Sequence, residues 1–229
     1  IQMMRKAYGN ISKLSDKNIL KAGEQLIQAT QKALNTTGQN LDGVYKTLGD
    51  IPVNGKAVLS ILNKLPTALK DEVTKTLSGI NFASPTLGTV RELKRIIGKY
   101  RPTMFGKGEK GLAENIEAEN INKLYSATKQ LMNTVVESRA GKKAADMLSK
   151  ADDAFTDVAN ASNYVKKSIV DSTLRQTTKA GNMARKITLE GDVSGRSALN
   201  ILKQSGARKE INRAMTALEA FNRWKALGD

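Results

Sequence analysis

The sequence has 229 residues, of which 40% are hydrophobic and 4% aromatic, and its formal net charge is +15. Cysteine and histidine are both absent, which excludes disulfides, thiol nucleophiles, Cys/His metal sites and histidine-based catalytic groups. Carboxylate and lysine chemistry remain available, so the composition disfavours an enzyme without excluding one. The positive charge is spread along the chain and favours attraction to polyanions such as nucleic acid or anionic lipid surfaces.

The chain begins at Ile1, with no start or capping signal before its first apolar residues, which leads us to expect a segment of a longer protein. No apolar run approaches the roughly 18 residues of a membrane span. We therefore expect no membrane span.

The first hundred residues show a series of helical patterns. Residues 15–35 form a helix that closes before Gly38, and residues 41–48 form a second apolar stripe that Gly49 stops. The predicted core stripe of the first helix consists of Ile19, Leu20, Leu26, Ile27 and Leu34. A third helix carries Val58, Leu62 and Leu65. Pro66 fits the first position of a fourth helix that runs to Gly79. The fifth predicted helix, which ends before Pro102, carries the core stripe Val90, Leu93, Ile96, Ile97 and Tyr100.

Two much longer helices follow a glycine-rich linker. The apolar pattern runs from 111 to 140, is broken at Gly141, and resumes over 142–180 without another glycine or proline. The second helix has an a/d seam with spacings of three and four at Leu148, Ala151, Phe155, Val158, Ser162, Val165 and Ile169. A long antiparallel hairpin, weakened at Ser162, is the economical packing. The seam favours packing within the chain, and an oligomeric or partner interface is the alternative.

The last part contains a short segment over 183–189, a helix ended by Gly206, and a final helix with Ile211, Met215, Leu218, Phe221 and Trp224 on one face. No strand-like alternation of apolar and polar residues occurs anywhere. The predicted fold is all-α, an elongated multi-helix bundle with a long antiparallel helical hairpin. The predicted domains are an N-terminal helical bundle (1–101), a basic glycine-rich linker (102–111), and the hairpin with the C-terminal helices (112–229).

The stretch RELKRIIGKYRPTMFGKGEKG has seven basic residues and only two acidic ones. Its G-x-G-x-x-G spacing is typical of nucleotide-binding loops, but those loops follow a strand and this one follows a helix, so a flexible interhelical linker is favoured. A nucleic-acid contact is the alternative. The residues predicted for this contact are Arg91, Lys94, Arg95, Lys99, Arg101, Lys107 and Lys110. The first five are expected on the solvated face opposite the core stripe, and the last two lie in the linker.

Acidic clusters in the long helices have a structural interpretation. Glu114, Glu117 and Glu119 lie in the first turns of a helix, where the dipole favours negative charge. Asp152, Asp153 and Asp157 are expected on the solvent side of the seam. We predict no catalytic residue, cofactor, metal or small-molecule ligand.

Several stretches resemble internal virion and DNA-ejection (pilot) proteins of short-tailed phages and related prophages. They are LDGVYKTLGDIPVNGKAVLSILNKL, SPTLGTVRELKRIIG, the long Ala/Lys/Asp helices, and DVSGRSALNILKQSG with LEAFNRWKAL. The resemblance implies an α-helical protein that is packaged in the capsid and delivered into the host with the DNA. Some such proteins carry peptidoglycan-cleaving domains, but no glutamate of this chain matches their motif.

The expected function is that of a non-enzymatic structural segment of such a virion protein, with a basic surface facing DNA or other virion components. The expected partners are other virion proteins, a second copy through helical seams, or DNA bound non-specifically. The expected location is the virion interior with delivery into the host cell, or otherwise the cytoplasm. The principal alternative is a nucleic-acid-binding or compacting helical module, and a lytic or carboxylate enzyme is a third class.

Overall fold

The computed structural model describes residues 2–82, 84–101, 115–173 and 193–226. The helices are α1 (Gln2–Leu48), α2 (Gly55–Asn63), α3 (Thr67–Thr76), α4 (Leu87–Tyr100), α5 (Asn115–Ala140), α6 (Lys142–Thr173), α7 (Val193–Leu202) and α8 (Arg208–Ala226). No strand occurs in these ranges, where Pro52 and Thr86 form an isolated antiparallel bridge. The all-α prediction is confirmed.

Helix α1 is continuous, so the predicted break at Gly38 is wrong. A Cβ at Gly38 would lie 3.6 Å from the ring of Phe155, an ordinary packing distance, and the helix continues through this position. A single glycine in a helix interior costs only about 1 kcal/mol relative to alanine. The predicted stop at Gly49 is confirmed, because Gly49 has a φ of 69° and its N–H donates to the carbonyl of Tyr45.

The buried face of α1 also differs from the predicted stripe. Ile27 was assigned to the core and is 39% exposed. Leu26 of the same stripe is buried, and the other buried positions around it carry small side chains, at Ala22, Ala29, Thr30, Ala33 and Thr37. A rule that follows large apolar residues misses a helix face made chiefly of alanine and threonine.

The chain divides into two compact units. One is Asn40–Asp153, and the other combines Ile1–Gln39 with Ala154–Asp229. The predicted linker at 102–111 lies outside the described residues, so the predicted division at that segment stays a prediction.

Helix α4 forms the centre of the Asn40–Asp153 unit. The fully buried side chains on it recur at helical spacing, at Leu87, Val90, Leu93, Ile96 and Ile97. At its start the backbone N–H of Thr86 donates to the hydroxyl of Thr89 (3.2 Å). At its end Arg101 is extended, with φ −70° and ψ 126°, as expected of a residue that precedes proline. The fifth predicted helix is confirmed.

The turn between α5 and α6 lies at Gly141, as predicted. Gly141 has a φ of 86°, and its N–H donates to the carbonyl of Glu137 (3.0 Å), which closes α5. Lys129 and Asp153 lie twelve residues before and after Gly141 and form an ion pair. Equal distances from the turn are the register of an antiparallel hairpin, so the hairpin is confirmed for residues 129–153. Its predicted continuation to residues 111 and 180 stays a prediction, because both ends lie outside the described residues.

The seam on α6 is buried at Leu148, Val158, Ser162 and Val165, and half-buried at Ala151 and Phe155. These four buried side chains have almost no exposed surface for a partner to contact. The hydroxyl of Ser162 has no hydrogen-bond partner. Asp152 was expected on the solvent side and is instead 7% exposed, so that expectation is wrong.

Helices α7 and α8 meet at a kinked turn, Lys203–Ala207, where Gly206 has a φ of 95°. The predicted helix end at Gly206 is confirmed. Ile211 and Leu218 of α8 are buried as predicted, and Met215 is half-buried. The side chains of Phe221 and Trp224 and the predicted segment 183–189 lie outside the described residues.

Candidate nucleic-acid interface

The predicted basic surface on α4 begins at Arg91, which is held between an acid and an aromatic ring. Its Nη2 donates to Asp42 Oδ1 at 2.6 Å. Its guanidinium carbon lies 4.2 Å from the centre of the Tyr45 ring, within cation–π range. Both partners are on α1, so Arg91 fastens α4 to the last turns of that helix.

Lys94 is buried, and the expectation that it lies on a solvated face is wrong. Its ammonium pairs with the carboxylate of Asp152 on α6, and the two side chains are 6% and 10% exposed. Position 94 lies four residues after Val90 and three before Ile97, which places it on the buried face of α4. The sequence analysis assigned Lys94 to the solvated face because of its charge, although its spacing is that of a core residue.

The next two cations of α4 also have acidic partners. Arg95 Nε donates to Glu92 Oε2 at 2.7 Å, one turn earlier on the same helix. Lys99 Nζ lies 3.4 Å from Glu72 Oε1 of α3. The hydroxyl of Tyr100 donates to the same carboxylate, so α3 and α4 are joined by two side chains that share one acid.

Arg101, at the end of α4, binds α5. Its Nε donates to Asn122 Oδ1 at 2.9 Å, and its guanidinium lies 4.5 Å from the centre of the Tyr125 ring. The ammonium of Lys94 lies 5.0 Å from the centre of that ring. Tyr125 approaches closely because Gly98 has no side chain, since a Cβ there would lie 3.2 Å from Tyr125 Cε2.

Burial affects the chemistry of Tyr45 as well. Removal from water, with a smaller contribution from the negative charge of Asp152, raises the pKa of the Tyr45 phenol well above its ordinary value. The phenol is therefore protonated, and its oxygen has no hydrogen-bond partner. Tyr45 serves here as a stacking surface for Arg91.

The arrangement of α4 makes its cations poor ligands for phosphate. Each basic side chain already contacts a carboxylate, an amide oxygen or a ring. A phosphate that bound there would have to displace these partners, whereas binding to a polyanion is driven by cations that are free to release its counterions. Lys107 and Lys110 lie outside the described residues, so their predicted contact stays a prediction.

The carboxylates singled out from the sequence also have cationic partners. Glu119 Oε1 lies 2.7 Å from Lys123 Nζ, and this hydrogen bond lowers the pKa of Glu119. Asp153 pairs with Lys129. The lowered pKa of Glu119 favours its ionised form, whereas a general acid at neutral pH needs a raised pKa. The side chains of Glu114 and Glu117 are not described, and no group of three acidic side chains suited to a metal occurs among those that are.

A second basic surface, which the sequence analysis did not identify, lies on α8. We call it the α8 basic face, and its exposed polar side chains are Arg208, Lys209, Asn212, Arg213 and Thr216. The opposite face of the helix is buried at Ile211, Ala214 and Leu218. None of its three cations forms an ion pair with a described residue. The apolar spacing of α8 could have revealed this face from the sequence.

In comparisons with protein-family models, curated proteins and solved structures, no significant match to this chain was found. The resemblance to phage virion proteins therefore stays a prediction. Among the helices of the described ranges, none combines the length and the apolar character that crossing a membrane requires.

Proposed function

We propose that this chain is a non-enzymatic structural segment of a phage internal virion or ejection protein, and that its unpaired basic residues contact DNA. The observation that carries the proposal is the contrast between two sets of cations on a chain with a net charge of +15. Four cations of α4 contact neighbouring helices, namely Arg91, Lys94, Lys99 and Arg101, and Arg95 pairs within α4. The exposed cations of α8 have no such task and are available to a polyanion.

The structural part of the proposal is supported by the chemistry of the ion pairs around α4. A packing of α4 that separated the buried Lys94 from its carboxylate would leave a charge unpaired in the interior, which is strongly unfavourable. The ion pairs therefore restrict how α4 packs. The hydrogen bond from Lys123 lowers the pKa of Glu119, which does not suit a general acid at neutral pH.

The DNA part can be tested by fluorescence anisotropy with a labelled duplex at 50 and 200 mM salt. We expect binding that weakens steeply with salt, with a log–log slope of about −0.9 for each phosphate contacted. A polyglutamate competitor should displace the protein only at a large excess. Absence of binding at 50 mM salt would contradict the DNA part of the proposal.

The virion part has a separate test. We expect portal, capsid or tail genes beside the coding sequence. We also expect mass spectrometry to detect the parent protein in purified particles. A neighbourhood of chromosomal maintenance genes would favour the alternative, a cellular nucleic-acid-binding or compacting module. The grouping of cations on α8 is the observation that keeps this second candidate open.

A further inference from the structure

The α8 basic face lies in a stretch of the chain where basic residues outnumber acidic ones, before Glu219. Over residues 193–218 the sequence has five basic residues and one acidic residue, Glu210. Glu210 Oε1 lies 2.8 Å from Lys32 Nζ on α1, and the charge of Arg213 also acts on Glu210, more weakly than Lys32 does. This one acid offsets part of the positive charge of the stretch and leaves an excess of basic residues.

The position of the face is fixed from behind. The turn before α8 packs on α1, where a Cβ at Gly206 would lie 3.7 Å from the hydroxyl of Thr36. Ile211 and Ala214 are fully buried on the inner side of α8. With its inner side packed and its end tied to α1 through Glu210, α8 presents its cations on a supported helix, which reduces the entropy lost on binding.

The cations span a length along the helix axis that is comparable to a few nucleotide steps. Arg208 and Arg213 are five residues apart, or about 7.5 Å along a helix with a rise of 1.5 Å per residue. Successive nucleotides of one DNA strand rise about 3.4 Å, so this length covers two steps and about three phosphates. Arginine suits the task because its planar fork donates two hydrogen bonds to a phosphate.

We infer that the α8 basic face is a binding site for the phosphate backbone of duplex DNA, contacted through Arg208, Lys209 and Arg213. The exposed amide of Asn212 extends the polar surface between them. The hydroxyl of Thr216 donates to the carbonyl of Asn212 and is occupied within the helix. The site rests on the proposed function, since it assigns the DNA contact to one helix.

The test compares two variants of equal charge. The first is Arg208→Gln/Lys209→Gln/Arg213→Gln. The second is Lys46→Gln/Lys70→Gln/Arg139→Gln. These three exposed cations lie on three different helices, and none forms an ion pair with a described residue. Glutamine keeps helix propensity close to that of lysine and arginine, and circular dichroism checks the fold of both proteins.

We expect the α8 variant to flatten the log–log salt slope for a labelled duplex by about 2.7, or 0.9 for each lost contact. The dispersed variant should change the slope by less than half as much. Equal losses in the two variants would overturn the α8 site while leaving non-specific DNA binding intact. If the wild-type protein does not bind duplex at low salt, both the site and the proposed DNA contact are wrong.

Other polyanions provide the remaining outcomes. If the α8 variant loses binding to anionic vesicles or to polyglutamate but keeps its affinity for duplex DNA, the site is not a DNA site. If the triple variant loses helix content, the three single variants provide the same slope measurement, with an expected change of about 0.9 each.

Discussion

Helices α4 and α8 are both basic and amphipathic, yet they use their cations in different ways. On α4, Lys94 is buried against Asp152, and Arg91 is fixed between Asp42 and Tyr45. On α8, Arg208, Lys209 and Arg213 are exposed and form no ion pair with a described residue, although the charge of Arg213 acts on Glu210. The comparison teaches that a count of lysines and arginines on a helix does not reveal a binding surface. Acids on neighbouring helices decide which cations remain available.

The largest expected effect concerns the buried ion pair between Lys94 and Asp152. Asp152→Ala should lower the free energy of unfolding by about 3–5 kcal/mol, because it leaves the Lys94 ammonium buried without a counter-charge. Urea unfolding followed by circular dichroism measures the change.

Its control is the double variant Lys94→Met/Asp152→Leu, which removes both charges and should recover most of the loss. On the other helix, Lys209→Ala should change the same free energy by no more than about 0.5 kcal/mol. A loss below about 1 kcal/mol for Asp152→Ala would mean that the pair is not buried as described.

A smaller effect is expected at Arg91. Arg91→Ala removes a partly exposed ion pair and a cation–π contact, each of which contributes about 0.5–1 kcal/mol, so a loss of about 1–2 kcal/mol is expected. Thermal unfolding provides the measurement. Arg91→Lys keeps the charge but not the planar stacking group, and its loss should be intermediate. Identical stability of Arg91→Ala and wild type would indicate that Arg91 is as free as the cations of α8.

Tyr45→Phe is expected to stabilise the protein by about 1 kcal/mol. The substitution removes a buried hydroxyl that has no hydrogen-bond partner and keeps the ring on which Arg91 stacks. Denaturant unfolding at neutral pH measures this gain. A decrease in stability would show that the phenol has a partner in solution.

The smallest expected effect concerns the ion pair between Lys32 of α1 and Glu210 of α8. The hydrogen bond from Lys32 lowers the pKa of Glu210 below 4.5 in the folded protein. The pair therefore contributes stability above about pH 4.5, and the contribution is lost as the pH falls through the folded pKa.

Because the Lys32 side chain is 49% exposed, the contribution is a few tenths of a kcal/mol. Glu210→Gln should lower stability by that amount at pH 7 and should match the wild type near pH 2. Unfolding curves at several pH values measure the difference. A difference that persists unchanged at pH 2 would exclude the ion pair as its source.

The sequence predicted well those features that depend on neighbouring residues. Glycines placed the ends of α1 and α5 correctly, because a left-handed residue at Gly49 or Gly141 stops a helix locally. The sequence failed at Gly38, where a glycine with no local need for a positive φ continues the helix. It also assigned Ile27 to the core, although that side chain is 39% exposed.

The site followed the same division. The helical spacing of Lys94 between Val90 and Ile97 indicates a position on the buried face of α4. A lysine can occupy that position only because Asp152, 58 residues away in the chain, supplies the opposite charge. Partners that are distant in the sequence therefore decide why the cations of α4 are paired, whereas Arg208, Lys209 and Arg213 of α8 form no ion pair with a described residue.

The all-α class, the hairpin turn at Gly141 and the excess of positive charge were determined by the sequence alone, because they follow from local backbone preferences and composition. Only the tertiary structure decided which cations are available to a polyanion. The physical reason is that the partners of Lys94 and Arg91 lie on other helices, and packing alone brings opposite charges within range of each other.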